Sequence, residues 1–156
     1  MKSVDHRRTS TLWWAASALL LITAIGVVPR LLGADQATSD RAFLVAKGRV
    51  TYRVYCINCH GAKAKGDGTL AEMLVTRPAD LTQLAKRNED KYDADRVRDI
   101  IDGRKGVRGH GMKEMPVWGD VFQTSSLEPS GSDETGEERS QRKVHELVLY
   151  LESIQE

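Results

Sequence analysis

The sequence predicts an all-α fold, and three observations support this prediction. Apolar residues recur at helical spacing in segments 41–56, 96–102 and 137–154. The sequence contains neither a convincing strand pattern nor an internal repeat. Glycine, proline and polar residues between the periodic segments mark loops. With 156 residues, the chain has the length of one domain plus a targeting segment.

The first predicted helix spans 41–56 and follows a short polar linker at 35–40, whose Ser39 or Asp40 can cap it. Gly48 and Tyr52 lie four residues apart on one stripe of this helix. Because a glycine within a helix costs about 1 kcal/mol relative to alanine, Gly48 is expected to permit the close approach of another helix. Apolar residues occupy a different stripe at helical spacing: Phe43, Ala46, Val50 and Val54.

The residues after the first helix predict a loop and two short elements. Segment 61–69 is rich in glycine and lysine and indicates a loop. A short helical piece at 70–75 must end before Pro78, because proline disfavours helical geometry in the residue before it. Asp80 can then cap a helical turn at 81–87.

A compact amphipathic helix is predicted at 96–102. Asp93 or Asp95 can cap its start, and Gly103 can end it, since glycine readily adopts the left-handed conformation at a helix C-terminus. Three apolar residues of this helix are expected to face inward: Val97, Ile100 and Ile101.

The C-terminal third combines irregular chain with a strong final helix. Four glycines and a proline at 104–119 argue against regular structure there, and 117–122 predicts a weak amphipathic turn. Residues 124–140 form a polar acidic segment, which predicts a solvated loop. The last helix is predicted at 137–154 from the spacing of five residues: Val144, Leu147, Val148, Leu151 and Ile154.

Residues 1–34 have the pattern of an export signal or an N-terminal membrane anchor. A basic start precedes an uncharged, mostly apolar run at 12–28. This run is longer than the apolar core of most signals, about 7–15 residues, and lies at the lower limit for a span, about 17–25 residues. Cleavage after Ala34 and retention as an anchor therefore both stay open. Either outcome places the rest of the chain outside the cytoplasm, soluble in the periplasm or anchored to the inner membrane.

Charge and cysteine content exclude several classes. The formal net charge is +1 and no basic stripe carries interleaved aromatics, which argues against nucleic-acid binding. Cys56 and Cys59, the two cysteines, are too close in sequence to close a useful disulfide loop. A zinc site needs about four ligands, and the histidines lack paired spacing. A thioredoxin-like redox pair would accompany a βαβ pattern, and none is predicted.

The segment Cys56-Ile57-Asn58-Cys59-His60 carries the most specific chemical signal in the sequence. Cys-x-x-Cys-His is the attachment signature of haem c. Its two thiols form thioethers with two haem vinyl groups, and its histidine ligates the iron. We therefore predict one covalent haem c on Cys56 and Cys59, with His60 as the proximal ligand. The export segment agrees with this prediction, because c-type attachment occurs beyond the membrane.

The chain resembles a class I (monohaem) cytochrome c over roughly residues 41–154, apart from the acidic loop. The resemblance implies an all-α fold in which the N- and C-terminal helices cross around one covalently bound haem, with a cytochrome c domain over 41–156. It rests on five segments: CINCHG at 56–61, KGDG at 65–68, RPADLT at 77–82, EMPVWGDVF at 114–122 and LVLYLESI at 147–154.

The resemblance also implies a second axial ligand. Class I cytochromes supply a methionine sulfur from a loop near the C-terminus, and Met115, followed by Pro116, matches that position. Thioether ligation favours Fe(II) and raises the reduction potential. His110 and Met112 lie nearby in sequence and stay open as alternatives. A histidine ligand would lower the potential.

Further residues have roles implied by the same resemblance. The carbonyl of Pro78 is expected to accept a hydrogen bond from the second ring nitrogen of His60. Gly48 and Tyr52 are expected to meet the last helix near Leu147 and Tyr150. Trp118 and Tyr92 could either contact the haem or pack in the core. Arg104 and Arg108 could either pair with the haem propionates or be solvated.

The function implied is single-electron transfer between redox proteins, without a small-molecule substrate and without enzymatic activity of the chain's own. One alternative is a haem c subunit of a membrane oxidoreductase complex, which a retained anchor would favour. A catalytic or ligand-binding haem protein with an open iron is less favoured, because Met115 is a strong candidate for the sixth ligand. The donor, the acceptor and the role of loop 124–140 stay open.

Overall fold

The computed structural model describes residues 28–104, 115–125 and 133–156. Within these ranges the chain forms α-helices and short 3₁₀ helices and no strand, which confirms the all-α prediction. The α-helices are α1 (Val28–Tyr55), α2 (Ile57–His60), α3 (Ala94–Asp102), α4 (Trp118–Thr124) and α5 (Gly136–Ser153). The 3₁₀ helices span Ala71–Met73, Leu81–Gln83 and Lys86–Asn88.

The chain divides into two compact units, Met1–Asp40 and Arg41–Glu156. In the first unit the predicted linker 35–40 is helical, because it belongs to α1. Ser39 and Asp40 therefore lie inside the helix and do not cap its start. Asp40 Oδ1 instead accepts a hydrogen bond of 2.8 Å from Gln36 Nε2, one turn earlier.

The predicted leader lies largely outside the described residues, since 1–27 include all of the apolar run at 12–28 except Val28. Its fate as a cleaved signal or an anchor therefore stays a prediction. Among the helices in the described ranges, none combines the length and the apolar character that crossing a membrane requires.

The second unit is organised by the crossing of α1 and α5. A Cβ added to Gly48 would lie 2.0 Å from the carbonyl oxygen of Glu146 and 2.9 Å from Cβ of Tyr150. Glycine is therefore required for the two backbones to approach this closely. One turn later, the buried Tyr52 packs its ring against Tyr150, with centroids 5.3 Å apart. The predicted close approach at Gly48 is confirmed.

The more apolar stripe of α1 faces solvent. Phe43, Val50 and Val54 are exposed, although their spacing is that of a core-facing stripe. The buried stripe includes Gly48 and Tyr52 instead. The crossing with α5 explains this orientation, because it needs the smallest residue at the contact and not the greatest number of apolar side chains.

Helices α3 and α4 pack against α5 and complete the core. The cap of α3 is Asp93, whose side chain accepts from the backbone N–H of Arg96 at 3.0 Å, and Gly103 ends this helix at a φ of +74°. The buried side chains of the core outside α1 come mainly from these three helices: Val97, Ile101, Phe122, Val144, Leu147, Val148 and Leu151.

The loop predicted at 124–140 is shorter in the structure. Thr124 belongs to α4, and residues 136–140 form the first turns of α5. A capping box starts α5, in which Thr135 and Glu138 exchange side-chain and backbone hydrogen bonds. This local signal outweighs the polar composition that predicted a loop. Residues 126–132 lie outside the described part of the chain.

Candidate functional site

The predicted attachment segment forms a single helical turn directly after α1. The backbone N–H groups of Cys59 and His60 both donate to the carbonyl of Cys56, at 3.2 and 2.9 Å. This turn brings Cys56, Cys59 and His60 to one side of the same cavity. Burial, and secondarily the neighbouring Cys59, raises the pKa of the Cys56 thiol to about 12.

The glycine-rich loop 61–70 folds back over this turn and caps its end. The N–H groups of Gly66, Gly68 and Leu70 donate to the carbonyls of His60, Cys59 and Asn58, at 2.9, 3.1 and 2.8 Å respectively. These three bonds satisfy carbonyls that the end of a helix would otherwise leave without partners.

Two glycines of this loop permit the fold-back. A Cβ on Gly68 would lie 2.3 Å from the carbonyl oxygen of Asn58, and a Cβ on Gly66 would lie 2.2 Å from that of Pro78. Gly66 also has a φ of +74°, which side chains disfavour. The KGDG segment therefore serves to hold the turn that carries His60.

The imidazole of His60 is oriented by a backbone carbonyl. Its Nδ1 lies 3.1 Å from the carbonyl oxygen of Ala79. Since a carbonyl only accepts, Nδ1 carries the proton, and Nε2 then has the lone pair that a metal ligand needs. The predicted acceptor was Pro78, so the hydrogen bond shown here is one residue further along. The Pro78 carbonyl lies against Gly66 instead.

A cavity of about 210 Å³ lies between α1, α3, α5 and segment 74–84. All six residues predicted for the site line it, namely Cys56, Cys59, His60, Pro78, Met115 and Trp118. The rest of its lining is mostly apolar and includes Leu74, Leu81, Leu84, Val97, Ile100, Ile101, Leu147 and Leu151. The cavity is therefore lined by sulfur and nitrogen donors from two distant parts of the sequence, 56–60 and Met115.

Trp118 combines the two roles that the sequence left open. It lines the cavity, and its ring also stacks on Phe122 and meets the edge of Tyr55, with centroids 5.7 and 5.6 Å apart. This aromatic contact fixes α4 against the end of α1, a short distance along the chain from Met115.

Tyr52 is a site residue that sequence reasoning assigned only to packing. Its hydroxyl donates a buried hydrogen bond of 2.6 Å to the carbonyl of Gly61, the residue after His60. Tyr52 also lines the cavity. Burial is the main cause of a raised pKa for this phenol, so the hydroxyl stays protonated and remains a donor.

Replacing Tyr52 by phenylalanine should lower the free energy of unfolding by about 1 kcal/mol, because a buried hydrogen bond is lost without a change of shape. Gly61 keeps a second donor, the N–H of Ala64 at 3.2 Å, which limits the cost. Urea unfolding followed by circular dichroism measures this effect. Tyr55→Phe is the matched control, since its hydroxyl forms a longer, partly buried hydrogen bond of 3.2 Å with Ser125. An equal or smaller loss for Tyr52→Phe would contradict the proposed importance of this bond.

The family comparison agrees with the geometry. The family model described as cytochrome c oxidase, cbb3-type, subunit III matches residues 43–128, more than half of the chain. The chain belongs to this cytochrome c family. The class I cytochrome c resemblance is thereby confirmed. No curated protein and no solved structure matched the chain.

A cytochrome c domain implies haem c, and the residues of the cavity fit that group. The walls are predominantly apolar, as a porphyrin ring requires, and two thiols, an imidazole and a thioether line the same space. Arg77 supplies a positive charge at this cavity. Cytochrome c domains usually lie outside the cytoplasm and usually transfer electrons.

Other predictions for the cytochrome c domain have separate outcomes. Tyr92 packs against the core and donates to the carbonyl of Val148 at 2.9 Å, which supports its core role. Arg104 does not line the cavity, and its guanidinium pairs with Asp102 and Glu137, both at 2.6 Å. The structure therefore does not support the interpretation in which Arg104 pairs with a haem propionate. Three further candidates lie outside the described residues: Arg108, His110 and Met112.

Proposed function

We propose that this chain is a single-electron carrier with one haem c, bound covalently through Cys56 and Cys59 and ligated by His60 and Met115. The observation that carries the proposal is that all four of these residues line one apolar cavity. Haem c, when bound, supplies reversible one-electron exchange between Fe(III) and Fe(II).

The chain's own residues would tune and position this group. Ala79 holds His60 in one ring orientation and one tautomer. Met115 offers a thioether, a donor that favours the reduced iron and a high potential. The apolar walls formed by α3 and α5 would keep water from the ring, which disfavours the more highly charged oxidised state.

An exposed apolar surface beside the cavity supports contact with redox partner proteins. Met73 and Val75 are 79 and 97% exposed, and they flank Leu74, which lines the cavity. Leu70 and Val117 are also exposed. Electron-transfer proteins use such small apolar surfaces for weak, short-lived contacts, so partners of this kind are proposed here and a small-molecule substrate is not.

A second candidate function is a haem c subunit of a membrane oxidoreductase complex. It is favoured by the family description, which names a subunit of a cytochrome c oxidase. The sequence prediction of an export signal or anchor at 1–34 agrees with it. Both functions place the domain on the periplasmic side of the membrane. A catalytic or sensing haem protein would need an accessible iron position, which a Met115 ligand would close.

Replacing Cys56 and Cys59 together by serine should abolish covalent haem attachment. Haem staining after denaturing electrophoresis measures this, because only a thioether-linked group stays with the unfolded chain. The single Cys59→Ser variant serves as a control and should retain weaker staining. Equal staining of the parent and the double variant would contradict attachment at these cysteines.

Redox titration and carbon monoxide binding then test the carrier proposal itself. The parent holoprotein should titrate as one reversible one-electron couple and should keep a low-spin spectrum in carbon monoxide. A high-spin spectrum that shifts with carbon monoxide would favour ligand binding or catalysis. Purification in a stable membrane complex would favour the subunit function over a free carrier.

A further inference from the structure

The outer face of α1 presents an apolar stripe that the proposed redox function does not use. Phe43, Val50 and Val54 are 60, 63 and 53% exposed. Their separations of seven and four residues place them along one line of the helix. Together these three side chains form an exposed apolar patch, and such patches can mark interaction surfaces.

The stripe cannot turn inward. On the opposite side of α1, Gly48 packs directly against the backbone of Glu146, and Tyr52 is buried. Rotating the helix to bury Val50 would expose Tyr52 and push a larger residue into the crossing. The outward orientation is therefore fixed by the core.

Cations flank the stripe on both sides. Residues 41–55 contain four basic and no acidic side chains. Arg41 is paired with Glu152 at 3.0 Å, which leaves three other cations between residues 41 and 55. At 100° per residue, Lys47 lies on one side of the stripe, and Arg49 and Arg53 lie on the other. The ammonium of Lys47 sits 5.2 Å from the ring centroid of Phe43.

We propose that this outer face of α1, formed by the apolar stripe and the three flanking cations, docks on the surface of an anionic phospholipid membrane. An apolar stripe bordered by basic residues is the pattern of helices that lie in the membrane interface. Long cationic side chains there can bury their stems and keep their charges among the phosphates.

Two further considerations favour a lipid surface over a second copy of the chain. Two outer faces of α1 would bring six cations together, and this repulsion opposes self-association. The apolar run of the predicted export signal or anchor also ends at Val28, only fifteen residues before Phe43, so a retained anchor would keep the face within about 50 Å of a bilayer even if the chain were extended.

The test uses the full chain carrying haem, reconstituted in phosphatidylcholine vesicles with and without phosphatidylglycerol. A spin label on Val50→Cys reports the outer face, and a label on Arg96→Cys, at an exposed position of α3, is the matched control. The parent chain without an added cysteine gives the background labelling. Collision rates with oxygen and with a water-soluble nickel chelate then measure membrane depth.

With phosphatidylglycerol present, the label at position 50 should gain oxygen access and lose nickel access severalfold, while the label at 96 should not change. High salt, phosphatidylcholine alone, or reversal of Lys47, Arg49 and Arg53 to glutamate should each restore nickel access. Each cation is expected to contribute roughly fivefold to the binding constant.

Four outcomes would overturn the proposal. Equal nickel access at positions 50 and 96 in anionic vesicles would show that this face does not meet lipid. Protection of position 50 that persists without anionic lipid and in detergent would mean that another segment of the chain covers it. Dipolar broadening between labels would show a second copy, and protection seen only in native membranes would point to a protein partner.

Discussion

Replacing Met115 by alanine should convert the low-spin haem protein into one that binds carbon monoxide. Loss of the thioether would leave one axial position without a protein ligand, because alanine carries no donor atom. The weak long-wavelength sulfur-to-iron absorption band should disappear. The reduction potential should fall by on the order of 0.1 V, a fraction of the roughly 0.8 V that axial ligands span.

Met73 provides the matched control, since it is also a methionine but is 79% exposed and does not line the cavity. Met73→Ala should leave the spectrum and the potential unchanged. If Met115→Ala kept the sulfur band, Met112 would become the candidate ligand. A low-spin parent spectrum without that band would instead make His110 the candidate ligand.

Replacing Gly48 by alanine should destabilise the folded domain by about 2 kcal/mol or more. The new methyl group would lie 2.0 Å from the Glu146 carbonyl oxygen, and a backbone atom in a packed helix cannot move aside as a flexible side chain can. Overpacking typically costs about 1–3 kcal/mol. Separating α1 from α5 would also loosen the contact between Tyr52 and Tyr150.

Helix propensity predicts the opposite sign for this substitution, a stabilisation of about 1 kcal/mol, so the measurement discriminates between the two effects. Urea unfolding of the haem-loaded chain gives the free energy. Ala46→Gly, at an exposed position of the same helix, is the control and should cost about 1 kcal/mol from propensity alone. A Gly48→Ala variant more stable than the parent would show that the helices do not meet as described.

The sequence predicted α3, α5 and the close approach at Gly48 because each depends on local or strongly patterned signals. Asp93 and Gly103 define α3 at both ends through caps that act over three or four residues. The buried side of α1 was harder to predict. Phe43 and Val50 have the spacing of core residues, but the side that packs is decided by the partner helix, which a single segment does not reveal.

At the site, the attachment turn was predictable because its chemistry constrains consecutive residues. The hydrogen bond of His60 was predicted one residue early, at Pro78 rather than Ala79. This register depends on how segment 77–81 folds against the loop at Gly66, and such contacts are set by tertiary structure. The hydroxyl of Tyr52 was not assigned to Gly61 for the same reason, since an aromatic at helical spacing predicts burial but not a hydrogen-bond partner.

The loop over the attachment turn separates two kinds of constraint on the sequence. It holds the turn through backbone N–H groups and buried Gly61, Ala64 and Gly66, while exposed residues lie between them, among them Ala62 and Lys63. Substitutions at the exposed positions can therefore redraw the charge that an approaching protein meets, while the support beneath His60 stays the same. Within this ten-residue stretch, the residues that set the surface charge are therefore different from the residues that hold the turn.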